Sequence, residues 1–221
     1  MTVTMRTADA VPILKAAIRI PFRELFKGHP DDLRTNKGHA GQLLEKHIGL
    51  KNGNQNIDFA DGELKTNKTK RDGTPAETIA ITQISGRIDQ MLSEPPEKFE
   101  GSHLCEKLDN MLVVPVVKDG ECGSWYLLDA YNINLAQNKL LKMQLRDDYD
   151  FICKELRRLV VSGDNIHTTN GKYLQVRAKD SKPYRPIYSR IFDRAISNKN
   201  HAFYLRTAFM KDLISGALPG M

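Results

Sequence analysis

The run Ile57-Asp58-Phe59-Ala60-Asp61-Gly62-Glu63-Leu64-Lys65-Thr66 sets an aspartate five residues ahead of a Glu-x-Lys triplet in a strand-like segment. Side chains alternate across a strand, so Glu63 and Lys65 share one face and Leu64 takes the other. A turn around Asp61 and Gly62 returns Asp58 to their side and supplies a second carboxylate. Two carboxylates suit a hard, oxygen-seeking Mg²⁺. An ion held there can activate water and stabilise the charge on a phosphate. Lys65 has three readings that one sequence leaves open: positioning the water, helping to deprotonate it, or neutralising the transition state.

Charged residues make up 27% of the chain, so a single such triplet is expected by chance and alone would read as a solvated strand face. Its context is more specific. Glu63 to Lys65 is the only Glu-x-Lys; the one Asp-x-Lys, Asp180 to Lys182, runs into Pro183 and suits a loop. A second strand-like run follows, Thr78-Ile79-Ala80-Ile81-Thr82-Gln83-Ile84, with Ile79, Ile81 and Gln83 on one face. The connection between the runs carries Lys68, Lys70 and Arg71 among turn residues. It predicts a hairpin with a basic tip.

Working outward, residues 9–26 read as helical, with Pro21 kinking or dividing them. Residues 38–49 read as a second helix on which Leu44 and Ile48 share a face. Glu45 sits one position round, where a helix packed on the sheet aims it at Asp58. Residues 111–117 and 125–128 read as adjacent strands, Pro115 marking an edge, a bulge or an end. Residues 146–161 are the clearest helix, with Tyr149, Ile152, Leu156, Leu159 and Val160 at helical spacing. In residues 166–179 the Asn170-Gly171 pair marks a hairpin. On its second strand Leu174 and Val176 face the core, leaving Tyr173, Gln175, Arg177 and Lys179 in one outward row that can reach phosphates and base edges.

The whole chain fits a polyanionic partner. Its 221 residues carry 33 Lys+Arg against 27 Asp+Glu, a net charge of +6, with an isoelectric point of about 9.2. The length suits one sizeable core or, as favoured here, two lobes around a cleft. There is no bilayer-length apolar run and no signal-peptide pattern, so a cytoplasmic location without a membrane partner is expected. Cys105, Cys122 and Cys153 are odd in number and form no Cys-x-x-Cys pair, which reads as reduced thiols and argues against a disulfide framework or structural zinc.

These residues resemble the MutH-like DNA endonucleases, a family of mismatch-repair nicking enzymes and type II restriction enzymes that cut at GATC. The matches run in order from Lys37 to Phe209: Lys37-Gly38 with Gly41-Gln42-Leu43-Leu44-Glu45; Asp58-Phe59-Ala60; Glu63-Leu64-Lys65-Thr66; Ser102-His103, Lys107-Leu108 and Pro115-Val116; Tyr173-Leu174-Gln175 with Arg177 and Lys179; and Phe203-Tyr204-Leu205. The resemblance implies an α/β fold with a restriction-endonuclease-like core, a mixed sheet flanked by helices, and two lobes around a DNA-binding cleft. The catalytic lobe would cover roughly residues 1–130 and the DNA-reading lobe residues 131–221. It further implies hydrolysis dependent on Mg²⁺, with Mn²⁺ able to substitute.

By the same resemblance, Asp58, Glu63 and the Leu64 backbone carbonyl are metal ligands, and Glu45 is a further acid near the metal or its water. Lys65 and Lys107 are cations around the attacked phosphate, and Lys37 helps close the site. Lys68, Lys70 and Arg71 join Gln175, Arg177, Lys179 and Tyr204 in binding DNA. Two departures stand out: the interval from Asp58 to Glu63 is two residues shorter than in the mismatch-repair enzyme, and Ala178 replaces its proline.

The expected function is a sequence-specific, Mg²⁺-dependent endonuclease on double-stranded DNA, with a type II restriction role at GATC ahead of methyl-directed mismatch-repair nicking. One catalytic kit makes one nick, so a double-strand break calls for a homodimer, a transient dimer on DNA, or two events. No sequence feature speaks for a mismatch-repair activator. The rival of another class is a non-catalytic DNA-binding module, against which the presence of Glu45, Asp58, Glu63, Lys65 and Lys107 argues.

Overall fold

The computed structural model describes residues 5–27, 39–50, 58–179 and 183–221. They fall into two compact units, Met1–Glu77 with Lys107–Gln137, and Thr78–Glu106 with Asn138–Met221. Each combines a sheet with flanking helices, the mixed α/β architecture expected from the sequence.

In the first unit β1 (Glu63–Thr69) pairs in parallel with β3 (Asn110–Val117), from Glu63 opposite Met111 to Thr69 opposite Val117. On the other side β3 pairs antiparallel with β4 (Tyr126–Leu127) and β5 (Tyr131–Asn134). Every residue of β3 is buried, as befits an apolar run in a central strand. One face of this sheet packs Leu64, Leu112, Val114 and Val116 against Leu14 of α1 (Thr7–Ala16), Phe22 of α2 (Phe22–Leu25) and Leu44 of α3 (His39–His47). Pro21 caps α2 and so does divide the N-terminal helical run.

Two expectations are corrected. Pro115 lies inside the central strand, not at an edge or end. Its missing N–H falls where β4, opposite Val116 and Val117, gives way to β5, opposite Asn110 to Val113, so little ladder is lost. The predicted hairpin forms only at its basic tip, where Thr69 bridges Pro75 antiparallel and Ala76 N–H donates to the Lys68 carbonyl at 2.8 Å, and it does not extend to the Thr78 run. The connection folds on itself, Lys70 N–H donating to the Thr74 carbonyl at 2.8 Å with Gly73 at φ +86°. Beyond it β2 (Ile79–Gln83) joins the second unit's sheet. The apolar edge of β3 is a better partner for β1 than the mixed polar β2.

The second unit carries an antiparallel sheet in the order β2, β10 (His201–Leu205), β7 (Leu174–Ala178), β6 (Thr169–Asn170). Thr169 opposite Val176 and Asn170 opposite Gln175 make β6 and β7 the hairpin that Asn170-Gly171 predicts. Behind the sheet runs α6 (Lys139–Val161), whose Tyr149 ring stacks on Phe203 with centroids 5.9 Å apart. This helix starts two turns earlier than its apolar periodicity indicates, because Asn138 caps it, accepting from Leu141 N–H at 3.0 Å. The unit also holds α4 (Ile88–Leu92), most of α5 (His103–Leu108), a second two-stranded sheet of β8 (Ile187–Ser189) and β9 (Arg194–Ser197), and α7 (Thr207–Ile214).

Candidate active site

The site is built at the start of β1. Leu64 points into the first unit's core, 5% exposed, which turns Glu63 and Lys65 to the other face. Glu63 is buried between two ammonium groups: Lys65 Nζ lies 2.5 Å from Oε2 and Lys107 Nζ, from the end of α5, 2.5 Å from Oε1. Asp58 reaches the same strand through a tight turn that Phe59 N–H closes on the Gly62 carbonyl at 2.9 Å. Its Oδ2 accepts from Leu64 N–H at 2.8 Å. A strand residue's N–H and C=O point to the same edge, so the Leu64 carbonyl shares this outer edge of β1 with Asp58.

The shortened turn is braced from both sides. A Cβ on Gly62 would stand 2.3 Å from the Asn110 carbonyl, so only glycine lets the turn approach β3. Asn110 Nδ2 donates to the Asp61 carbonyl at 2.9 Å, and Asp61 Oδ1 accepts from Thr7 N–H at 2.8 Å at the start of α1. Position 61 is structural here.

The Glu45 carboxylate, on α3, makes no hydrogen bond or ion pair with any described residue, yet it lies within electrostatic reach of the cluster. Burial lifts its carboxyl above the ordinary carboxylate range, the charges of Asp58 and Glu63 push the same way, and Lys65 opposes them. Asp58 is raised likewise, by burial first and by Glu63, against the Leu64 N–H bond, Lys65 and Lys107. Half-buried acids held up by burial and by one another's charge have unmet demand for a cation. That demand, with an acceptor carbonyl beside it, fits a divalent ion. Among the described residues no three ligating side chains are already grouped as a metal cage, and Glu63 has both oxygens engaged by lysines.

The other expected site residues are distributed as follows. Lys37 lies outside the described residues. Lys68, Lys70 and Arg71 are exposed at the far end of β1 and line an open groove of about 510 Å³ with Lys118, Asp72 and Asp119. Arg71 is paired there with Asp119 at 2.9 Å.

In the second unit, Arg177 is exposed with its guanidinium over the Tyr204 ring, 4.9 Å from the centroid, and Nη1 3.5 Å from Thr78 Oγ1. Gln175 stands opposite Tyr204 on β10, and both are largely buried. Lys179 follows the end of β7, its N–H bonded to the Asn200 carbonyl at 2.8 Å. Tyr173 leaves the outward row the sequence assigns it: it is fully buried against Phe209, and its hydroxyl donates to Asp212 at 2.8 Å. Thr78, Gln83 and Asn200 were not singled out as site residues. A β-bulge at Ile81 decides the facing of Gln83, and no local residue pattern announces it.

The family model described as "DNA mismatch repair enzyme MutH" matches residues 49–142, which span the Asp58 turn, the Glu-x-Lys strand and Lys107. Curated proteins named "DNA mismatch repair protein MutH" are similar over most of the chain. That of Vibrio campbellii is 30% identical over 194 residues, 84% of this chain and 80% of its own length. That of Vibrio cholerae serotype O1 is 29% identical over 194 residues, 84% and 82% respectively. A Shewanella protein is 28% identical over 204 residues, again 84% and 82%. With this coverage of both chains, added to the Asp58, Glu63 and Lys65 arrangement, the chain belongs to the MutH-like family of DNA endonucleases.

Proposed function

We propose that the protein is a divalent-metal-dependent endonuclease that nicks one strand of duplex DNA at a short sequence, GATC being favoured, in mismatch repair. The sequence reading puts restriction first; the relatives, all named for mismatch repair, favour the other order. The observation that carries the catalytic part is Glu63 held between Lys65 and Lys107 beside the raised carboxyls of Asp58 and Glu45.

Asp58, Glu63 and the Leu64 carbonyl would hold the ion, with Glu45 taking part directly or through water. Mg²⁺ or Mn²⁺ bound there would lower the pKa of a coordinated water and offset charge on the phosphate. Were Glu63 to ligate the ion, Lys65 and Lys107, which both pair with it among the described residues, would be freed from it. Lys65 and Lys107 can then meet the charge developing on the attacked phosphate, in a site buried enough to strengthen that attraction. Lys68, Lys70 and Arg71 bind the backbone, and Arg177, Lys179, Gln175 and Tyr204 belong to the reading surface. Lys37 closes the site in this scheme.

Supercoiled plasmid carrying GATC, incubated with the protein and Mg²⁺, is expected to give nicked circles. Asp58→Ala and Lys65→Ala should lose cleavage and keep binding. DNA left uncut by the wild type across varied duplexes would overturn the reading.

A further inference from the structure

Sheet β2-β10-β7 has one face covered by α6 and the other carrying Arg177, Gln175 and Tyr204. The register across it is continuous: Ala202 on β10 stands opposite Arg177 on one side and Gln83 on the other. Gln83 therefore shares a row with the arginine assigned to base reading. Strict alternation would have put Gln83 on the core side with Ile79. The register shift between Phe203 and Tyr204 prevents this, since Tyr204 opposes Ala80 and Phe203 opposes Thr82, leaving Ile81 as the extra residue. Bulges re-aim side chains in this way. Here it keeps Ile79 buried and leaves both Ala80 and Gln83 exposed.

The Gln83 amide is also oriented. His201 N–H donates to Asn200 Oδ1 at 2.9 Å, and a backbone N–H can only donate. The Asn200 NH₂ must then be the group facing Gln83, 2.5 Å from Oε1. With its oxygen held, Gln83 presents its NH₂ outward, and no described residue accepts from it. A free glutamine offers a donor and an acceptor together, the pattern that matches adenine. This one offers donors alone. In the major groove that suits thymine O4, guanine O6 or a purine N7, and it opposes cytosine, whose exposed group is the N4 amine.

We propose that Gln83 is a specificity-determining residue, set by Asn200 to read a hydrogen-bond acceptor at one base and to exclude cytosine there. The inference rests on the reading face being turned to DNA, as in the proposed function. Two isosteric changes test it. Gln83→Glu still accepts from the Asn200 amide but turns an acceptor outward. Asn200→Asp still accepts from His201 N–H but removes the donor that holds Gln83 Oε1, so the Gln83 amide turns over and also presents its oxygen.

Sequences bound from a randomised duplex pool by the full chain, in a Lys65→Ala background that leaves DNA uncut, report the outcome. Both changes are expected to move the same single position towards cytosine, by roughly tenfold in relative preference, while Arg177→Ala relaxes a different position. Equal weakening on all sequences would make Gln83 a phosphate contact and overturn the proposal, as would an unchanged profile. A parent chain with no base preference would instead remove the recognition part of the proposed function, and this inference with it.

Discussion

Each unit buries acidic side chains beside a strand, and the two treat them in opposite ways. In the second unit Asp148, 4% exposed on α6, accepts four hydrogen bonds: from Gln144 Nε2 and from the N–H groups of Lys172, Tyr173 and Leu174, at 2.6 to 3.0 Å. Its acceptor capacity is filled, and it ties the entry of β7 to the helix. Gly171 is required by that approach, since a Cβ there would meet Asp148 Cγ at 2.6 Å. In the first unit the Asp58 carboxylate accepts one backbone N–H and the Glu45 carboxylate has no partner among the described residues, while their charges and that of Glu63 oppose one another. Burial of an acid does not mark a working site. Unmet acceptor capacity beside like charge does.

The largest test of this contrast is Glu63→Ala. It leaves Lys65 and Lys107, whose side chains are 19% and 15% exposed, without their carboxylate. Cleavage should be lost, and urea unfolding should show a loss of about 3–5 kcal/mol, the usual cost of stranding a buried charge. A loss near zero would mean that neither lysine depends on Glu63. Next comes Asp148→Asn, which turns an amine towards backbone N–H groups that have no other acceptor. A loss of about 1–3 kcal/mol is expected, with no shift in the pH profile of cleavage because no reacting group is touched. A displaced profile would place Asp148 in the chemistry and break the comparison.

Much of the first unit's site was legible because it is local. Alternation alone puts Glu63 and Lys65 opposite Leu64, and Asp61-Gly62 marks the turn that returns Asp58. The amphipathic spacing of Leu44 and Ile48 fixes the side of α3 on which Glu45 sits. Strand partners were less legible, since β1 and β2 are neighbours in sequence and belong to different sheets. Their pairing is decided by which edge buries more apolar surface, a property of β3 and β10 far along the chain. The outward face of β7 was legible at Arg177, one residue beyond buried Val176, and misread at Tyr173, where the long-range Asp212 bond wins. Gln83 depended on a bulge set by β10, which no pattern within residues 78–84 reveals.

The smallest expected effect has the opposite sign. Asp58→Asn and Glu45→Gln remove charges that the folded site disfavours, so without divalent cation both should raise stability, by about 0.5–2 kcal/mol as is common for relief of a functional site, while cleavage is lost. The pH dependence follows from the direction of the shifts. A carboxyl whose pKa is raised on folding binds its proton more tightly in the native state, so its ionised form costs stability above the raised value. The advantage of each variant should be full at neutral pH, shrink as pH falls through the raised range, and vanish below the ordinary carboxylate pKa of about 4. Added Mg²⁺ should narrow the gap at neutral pH by stabilising only the chain that retains both acids. Thermal melts across pH, with and without Mg²⁺, measure both effects. If either variant is less stable than the wild type at neutral pH, that carboxyl is part of the scaffold in the way Asp148 is, and the unmet charge at the start of β1 rests on the other acid alone.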